Sequence, residues 1–316
     1  MHDIVAFLKK AVGRDQKAQV MSCYVIRDGS ITANMTGLQA GIAMESTVEF
    51  NVPADELEAA LGRMSAVTGI AFDGNAVTLR GGRLKAVIDC IHEEPPRSPP
   101  MPEEWWQVPD GFLDAIKLAM PFTSGDGWSS SIRLGTGRVT ALSNRAGIDV
   151  AVPALVLPQP VLLPKSASEF LTAQTAPTEF WCDQNSIMFR WADGRWVRAQ
   201  LFDAAIPPAM ATVFEALPDT ADVPITAEWK EAFADAAALS DGTVMLTPTH
   251  LRGIKGAGTN DAEIATPVPE GHVSYWFAKT MESVVSAASH WQPTAYPKPA
   301  LFTGPNVRGL VMGVKR

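Results

Sequence analysis

The sequence predicts an α+β protein made of three similar domains in tandem, and three observations carry that expectation. A unit with an apolar residue, a helix start and then apolar residues three or four apart occurs three times: Val52 to Leu61, Leu163 to Leu171 and Phe277 to Val285. The copies lie about 110 residues apart, and each is followed by short alternating segments joined by tight turns. At 316 residues and 47% hydrophobic content, the chain has the length for three ordinary domains and the apolar residues to give each a core.

The first unit opens with a helix expected over residues 2–14. Ile4, Val5, Leu8 and Val12 form its apolar stripe, and Lys9, Lys10 and Arg14 fall off it. Strands are expected over 21–27 and 30–36, joined by Asp28-Gly29, and again at 48–51; Asp-Gly between alternating runs signals a hairpin. A helix over 55–64 precedes strands at 70–72, 77–80 and 84–88, with turns at Asp73-Gly74-Asn75 and Gly81-Gly82. Residues 93–109 hold six prolines, four glutamates and the pair Trp105-Trp106, which reads as a linker.

The second unit repeats the order. A helix over 110–120 turns Phe112, Leu113, Ile116 and Met120 inward, and strands follow at 130–134, 138–142 and 148–152. After its second helix come strands at 178–181, 187–191 and 196–202, with turns at Gln184-Asn185 and Asp193-Gly194. A second proline-bearing connection, 206–224, leads to a helix over 227–239, a hairpin turning on Asp241-Gly242, and a final strand at 310–314. The expected domains are 1–102, 103–220 and 221–316, each with two helices beside antiparallel sheet.

Composition narrows the function classes. The longest apolar run, 150–163, is broken by Pro153, Pro158 and Pro160, short of the roughly 18 residues that span a membrane. The N-terminal residues lack the basic and apolar regions of a secretory signal, so a cytoplasmic location is expected. Cys23, Cys90 and Cys182 are odd in number and far apart, and read as buried structural thiols. A net charge of −8 argues against a surface that coats nucleic acid all over, but leaves room for basic residues gathered on one internal face.

Catalytic patterns are missing from the sequence. His2, His92, His250, His272 and His290 show no metal-ligand spacing. Ser129-Ser130-Ser131 lacks the glycine frame of a nucleophile elbow, and Gly253, Gly256 and Gly258 lack a following Gly-Lys-Ser/Thr and read as a hairpin loop. Glu103 and Glu104 are neighbours on a proline-rich stretch and cannot face each other across a sugar. No catalytic residue, metal or cofactor is expected.

The informative polar pattern lies on the helices. Lys9, Lys10, Arg14 and Lys17 sit on or just after the first, Arg63 near the end of the second, and Lys117, Lys165, Lys230 and Lys279 on the others. One such helix would be an ordinary solvated face; a basic residue on every helix of a repeated unit fits a shared surface toward a phosphate backbone. Trp128, in a Gly-Asp-Gly-Trp-Ser-Ser loop, either stacks on a base or plugs a core.

These features together resemble the bacterial DNA polymerase III beta subunit, the sliding clamp. Phe112-Leu113-Asp114-Ala115-Ile116 resembles the first helix of that family's second domain, and Leu162-Leu163-Pro164-Lys165-Ser166 its Ile-Pro-Ala-Lys helix start. Arg138 to Asn144 is similar to the strand before its Thr-Asp-Gly-His-Arg-Leu motif, and Gln184 to Phe189 to its Asn-Gln-Ile-Arg-Phe hairpin. Gln200 to Pro207 resembles its Arg-Leu-Ile-Asp-Gly-Lys-Phe-Pro stretch, and Val311 to Arg316 its Val-Met-Pro-Met-Arg ending. Ala146-Gly147-Ile148 stands where the family has His-Arg-Leu, and Gly313 where it has proline, departures that fit a divergent clamp of viral or mobile-element origin.

The resemblance implies three tandem DNA-clamp domains, closing as a ring of six from a homodimer around double-stranded DNA. It implies DNA-facing residues Lys9, Lys10, Arg14, Lys17, Arg63, Lys117, Trp128, Lys165, Lys230 and Lys279. Peptides of a DNA polymerase and a clamp loader would enter a pocket of Ile148, Pro207, Leu310, Met312 and Val314, edged by Ser129, Ser143 and Arg145. Ring closure would use the edge strand bearing Leu84, Ala86 and Ile88. The alternative is a monomeric protein of the same fold that binds clamp partners without encircling DNA.

Overall fold

The computed structural model describes the chain except residues 47, 126, 203–207, 216, 218–220, 222, 248–249, 256–257, 264–272, 293, 295–297 and 316, and the side chains of 208–211, 255 and 258–263. The first repeat runs α1 (His2–Leu8), β1 (Cys23–Arg27), β2 (Ser30–Met35), β3 (Leu38–Ala43), β4 (Phe50–Pro53), α2 (Ala54–Leu61), β5 (Gly69–Phe72), β6 (Ala76–Gly81) and β7 (Leu84–Asp89). After β8 (Trp106–Gln107), the second runs α3 (Phe112–Ala119), β9 (Ile132–Gly135), β10 (Arg138–Leu142), β11 (Ala146–Ala151), β12 (Val161–Leu163), α4 (Lys165–Thr172), β13 (Glu179–Cys182), β14 (Ser186–Arg190) and β15 (Trp196–Gln200). After α5 (Pro208–Glu215) and β16 (Val223–Pro224), the third runs α6 (Ala227–Ala238), β17 (Thr243–Leu246), β18 (His250–Lys255), β19 (Gly258–Glu263), β20 (Ser274–Phe277), α7 (Ala278–Ala287), β21 (His290–Gln292), β22 (Pro299–Gly304) and β23 (Val307–Met312). Each repeat is thus helix, four strands, helix, three strands, the α+β architecture expected.

The described residues form two compact units, Met1–Val108 with Glu169–Leu201, and Pro109–Ser168 with Phe202–Arg316. The first holds an eight-stranded sheet in the order β4-β1-β2-β3-β15-β14-β13-β8 and a three-stranded sheet β5-β6-β7. Its core includes Phe7, whose ring meets Phe170 and Trp191 edge-on at 5.3 and 5.2 Å. The second holds an eight-stranded sheet β12-β9-β10-β11-β23-β22-β21-β16 and a four-stranded sheet β19-β18-β17-β20. Here Phe302 stacks on Phe122 at 5.7 Å, and Trp229 and Trp276 both pack on Trp291.

Both eight-stranded sheets cross a repeat boundary. β3 pairs antiparallel with β15, and β11 with β23. In each of these sheets a glycine on a crossing strand makes room for an aromatic ring on a neighbouring strand. At Gly41, opposite Trp196, a Cβ would lie 2.5 Å from the indole; at Gly309, opposite Phe302, it would meet that ring.

Several expectations are corrected by the structure. The first helix ends as an α-helix at Leu8 and tightens into a 3-10 turn over Lys9–Ala11, well short of residue 14. The 206–224 connection contains α5, because Pro208 takes the first helical position, where its missing N–H costs nothing. Asp241-Gly242 joins α6 to β17 and is not a hairpin; Gly242 has φ +100°, as a chain leaving a helix often requires. The 93–109 linker carries β8, which pairs with β13 at the sheet edge. The β6–β7 turn is Gly82-Arg83, one residue later than read, since Gly81 pairs with Leu84. By contrast the Asp28-Gly29 hairpin forms as expected, with φ of +50° and +66°.

Replacing Gly41 by alanine is expected to destabilise the first unit by about 1–3 kcal/mol in urea unfolding, since the Trp196 indole must shift. Gly69→Ala is the matched control: its nearest neighbour to a new Cβ lies at 4.0 Å, so little change is expected.

Candidate functional site

The basic residues proposed for a phosphate-facing surface divide into two groups. Lys9 and Arg14 are committed to α2. Lys9 Nζ lies 2.8 Å from Glu58 Oε2, and Arg14 donates to Asp55 Oδ1 at 2.8 Å and to Glu58. Tyr24 also donates its hydroxyl to Glu58 Oε1 at 2.7 Å. Burial alone would raise the Glu58 carboxyl, but hydrogen bonds from Lys9 and Tyr24 and the charges of Arg14 and Lys9 hold it below the usual carboxylate range. Burial, the hydrogen bond to Glu58 and its charge push the Tyr24 phenol up. The expectation that Lys9 and Arg14 face a ligand is therefore corrected: Asp55 and Glu58 of α2 already neutralise them.

The other group is exposed. Lys10, Lys17 and Arg63 in the first unit, and Lys230 and Lys279 in the second, are exposed and make no ion pair among the described residues. Lys117 pairs with Asp114 at 3.6 Å, but both are half or more exposed, so the pair is weak. Lys165 is exposed at the start of α4.

The residues read as a peptide pocket are brought together only in part, all within the second unit. The Met312 N–H donates to the Arg145 carbonyl at 2.7 Å, Leu310 pairs with Gly147, and the Val314 N–H donates to Tyr275 O at 2.7 Å. The Arg145 guanidinium lies over the Phe277 ring, 4.1 Å from its centroid. The Ser143 hydroxyl serves its own turn, donating to Ala146 O and accepting from Arg145 N and Ala146 N. Ser129 likewise donates to Ser124 O at 2.5 Å. Pro207 lies outside the described residues. Ile148 is a correction: it is fully buried, on the sheet face shared with Ala141, Gly309 and Phe302, and is a core residue.

On the opposite sheet face the structure supplies residues that sequence reading missed. Leu142, Leu162 and Phe214 form a buried cluster with Trp128, Val213 and Leu217 packed against it. Gly147 permits this packing, since a Cβ there would lie 2.6 Å from Leu142 Cδ1 and 3.0 Å from Phe214 Cζ. Trp128 therefore packs on this cluster, the core-plug alternative for that residue. Phe214 was illegible because its helix was read as a connection.

The edge strand β7 also departs from its reading. Ile88 is 4% exposed and belongs to the core of its small sheet, whereas Val87, on the other face, is 57% exposed. Leu84 is 45% exposed and Ala86 half-buried. Strands β7 and β19 each end their sheets without a further neighbour among the described residues.

The three cysteines are buried and unpaired with one another, and burial pushes the Cys23 thiol to about 11 and the Cys182 thiol to about 12, so neither is a nucleophile at neutral pH. Among the described residues, no helix is long and apolar enough to cross a membrane.

No protein-family model and no curated protein matches the sequence. Solved structures do. The DNA polymerase III beta chain from Streptococcus pneumoniae superposes with a TM-score of 0.80 at 12% identity, covering 99% of this chain and 97% of that one. The DNA polymerase sliding clamp from Caulobacter crescentus gives 0.79 at 14% identity, with the same coverage. The Helicobacter pylori beta clamp, solved bound to a DNA ligase peptide, gives 0.77 at 12% identity, again over 99% and 97%. The chain has the sliding-clamp fold, as its sequence motifs implied.

A depressed carboxyl contributes stability above its ordinary value, 4.5 for Glu58, and loses that contribution as the pH falls through its folded-state value. Glu58→Gln is therefore expected to flatten the acid side of the stability–pH curve in urea unfolding. Equal acid slopes for the two proteins would count against this ion cluster.

Proposed function

We propose that this protein is a DNA sliding clamp, a non-catalytic processivity factor that encircles duplex DNA as a ring of two chains. It would tether replication proteins through short peptides, as the Helicobacter pylori clamp holds a DNA ligase peptide. The observation that carries the proposal is the pattern of paired and unpaired sheet edges. In β3–β15 and β11–β23, the third strand of one repeat's first sheet joins the last strand of the next repeat's second sheet. Applied to the third repeat, the same rule asks β19 to join the last strand of a first repeat's second sheet, which is β7. Both are edges within one chain, and adding β7-β6-β5 after β20-β17-β18-β19 reproduces the order of the first seven strands of each eight-stranded sheet. A second copy supplies each missing partner, and two head-to-tail contacts of this kind close a ring. The domains are then one repeat each, 1–102, 103–220 and 221–316.

Within that ring we assign Lys10, Lys17, Arg63, Lys117, Lys165, Lys230 and Lys279 to the DNA-facing surface. Their contacts with phosphates are independent of sequence, which sliding requires. Lys9 and Arg14, neutralised by Glu58, contribute little. The peptide site is assigned to Arg145, Leu310, Met312 and Val314, with Leu142, Trp128 and Phe214 as its apolar neighbours. The ring contact is assigned to the β7 edge, with Leu84, Ala86 and the exposed Val87.

Light scattering is expected to give twice the chain mass, and Val87→Pro, which removes an N–H from the free side of β7, to lower it toward one chain. Protein loaded on a nicked circular plasmid should stay bound and be released when the plasmid is cut to a linear form. A single-chain mass at every concentration, with equal retention on circular and linear DNA, would overturn the reading. Replacing Lys10, Lys230 and Lys279 by glutamate should reduce the log–log salt slope of duplex binding by about 0.9 for each lost phosphate contact.

A further inference from the structure

The second unit carries a charged cavity on the sheet face opposite α3, beside the Leu142–Phe214 cluster. It encloses about 280 Å³ and is lined by Arg133, Arg138, Thr140, Asp149, Phe214 and Arg308, among others. Arg133, Thr140, Asp149 and Arg308 stand on one rung across β9, β10, β11 and β23. Asp149, with its side chain 1% exposed, accepts from Arg308 Nε at 3.0 Å and from Arg138.

That rung is incompletely satisfied. Arg133 Nε, Thr140 Oγ1 and Asp149 Oδ1 are buried with no hydrogen-bond partner among the described residues. Thr140 is 2% exposed. Arg138 and Arg308 both serve Asp149, whereas Arg133 makes no ion pair among the described residues. A partly buried cation without a counter-charge is costly, and an incoming anion relieves that cost.

The equivalent rung of the first unit is Val25, Thr32, Gly41 and Trp196, which carries no charge. The charged rung therefore belongs to the second unit alone.

We propose that this arginine cavity binds the carboxylate of an acidic residue in a partner peptide whose apolar residue lies against Phe214 and Leu142. The proposal rests on the reading of a peptide site in this unit. A guanidinium fork matches a carboxylate in plane, and Arg133 brings such a fork to the rung. The cavity admits a flexible acidic side chain, and its Phe214 wall continues into apolar surface. A stiff duplex would have to bury sugars against that wall to bring a phosphate so deep.

The test is fluorescence anisotropy with labelled ten-residue peptides in which one aspartate is moved through a neutral sequence containing a leucine–phenylalanine pair, each with an asparagine-matched control. At one spacing the aspartate peptide is expected to bind about tenfold more tightly than its control, a preference that Arg133→Gln and Arg138→Gln each largely remove. Arg133→Gln should leave the control peptide's affinity and the binding of a 30-base-pair duplex unchanged. No aspartate preference at any spacing, or a preference that survives both substitutions, would overturn the proposal. Undiminished binding of the control peptides would show that the apolar peptide site stands without it. If Arg133→Gln weakens duplex binding instead, the cavity serves phosphate and the carboxylate assignment is wrong.

Discussion

An unpaired strand edge is the constraint on which the account of this molecule depends. Backbone N–H and C=O groups at a sheet edge need partners or water, and a long bare edge invites another strand. This chain resolves two of its three repeat junctions internally, by pairing β3 with β15 and β11 with β23. The third junction is left as two separate edges, β7 and β19, in sheets of three and four strands. Small sheets with an exposed valine on one edge are weak places to end a fold, and strong places to join one copy to another. In the proposed assembly, the same pairing rule would be used a third time, between two chains.

Electrostatics explains how an acidic chain can serve such a purpose. Its net charge of −8 would repel nucleic acid if spread evenly. Acids of α2 instead neutralise Lys9 and Arg14 locally, while exposed lysines on other helices keep their charge. A ring needs little affinity, because topology retains the DNA and weak contacts let it move. The arginines around the buried Asp149 in the second unit are a different use of the same residue type, and the ligand proposed for them is a single carboxylate.

Much of the fold was legible in the sequence because local rules decided it. Asp28-Gly29 set a hairpin whose two positive φ angles only such residues adopt readily, and the Phe112, Leu113 and Ile116 stripe set α3. The repeat itself was visible as spacing. What escaped was non-local. No periodicity says that β3 will find β15, more than 150 residues later, or that Glu58 will sit beside Lys9. Prolines hid α5, since Pro208 begins a helix as readily as it ends one, and with α5 went Phe214. Alternation placed Ile88 and Ile148 on strands correctly, but which strand face is core depends on what packs there, and both proved buried. The candidate site was accordingly half legible: Arg145, Leu310 and Met312 converge, whereas the apolar cluster beside them comes from three distant segments.

The most direct test of the central claim is a cross-link between the two free edges. Chains carrying Val87→Cys would be mixed with chains carrying one cysteine at successive β19 positions, Thr259→Cys through Ala262→Cys, and treated with a short bis-maleimide. The three native cysteines are buried and should react little. The account predicts an inter-chain product from the mixture at one or two adjacent β19 positions, with a mass of two chains. No product at any position, with the chains running as monomers, would contradict it.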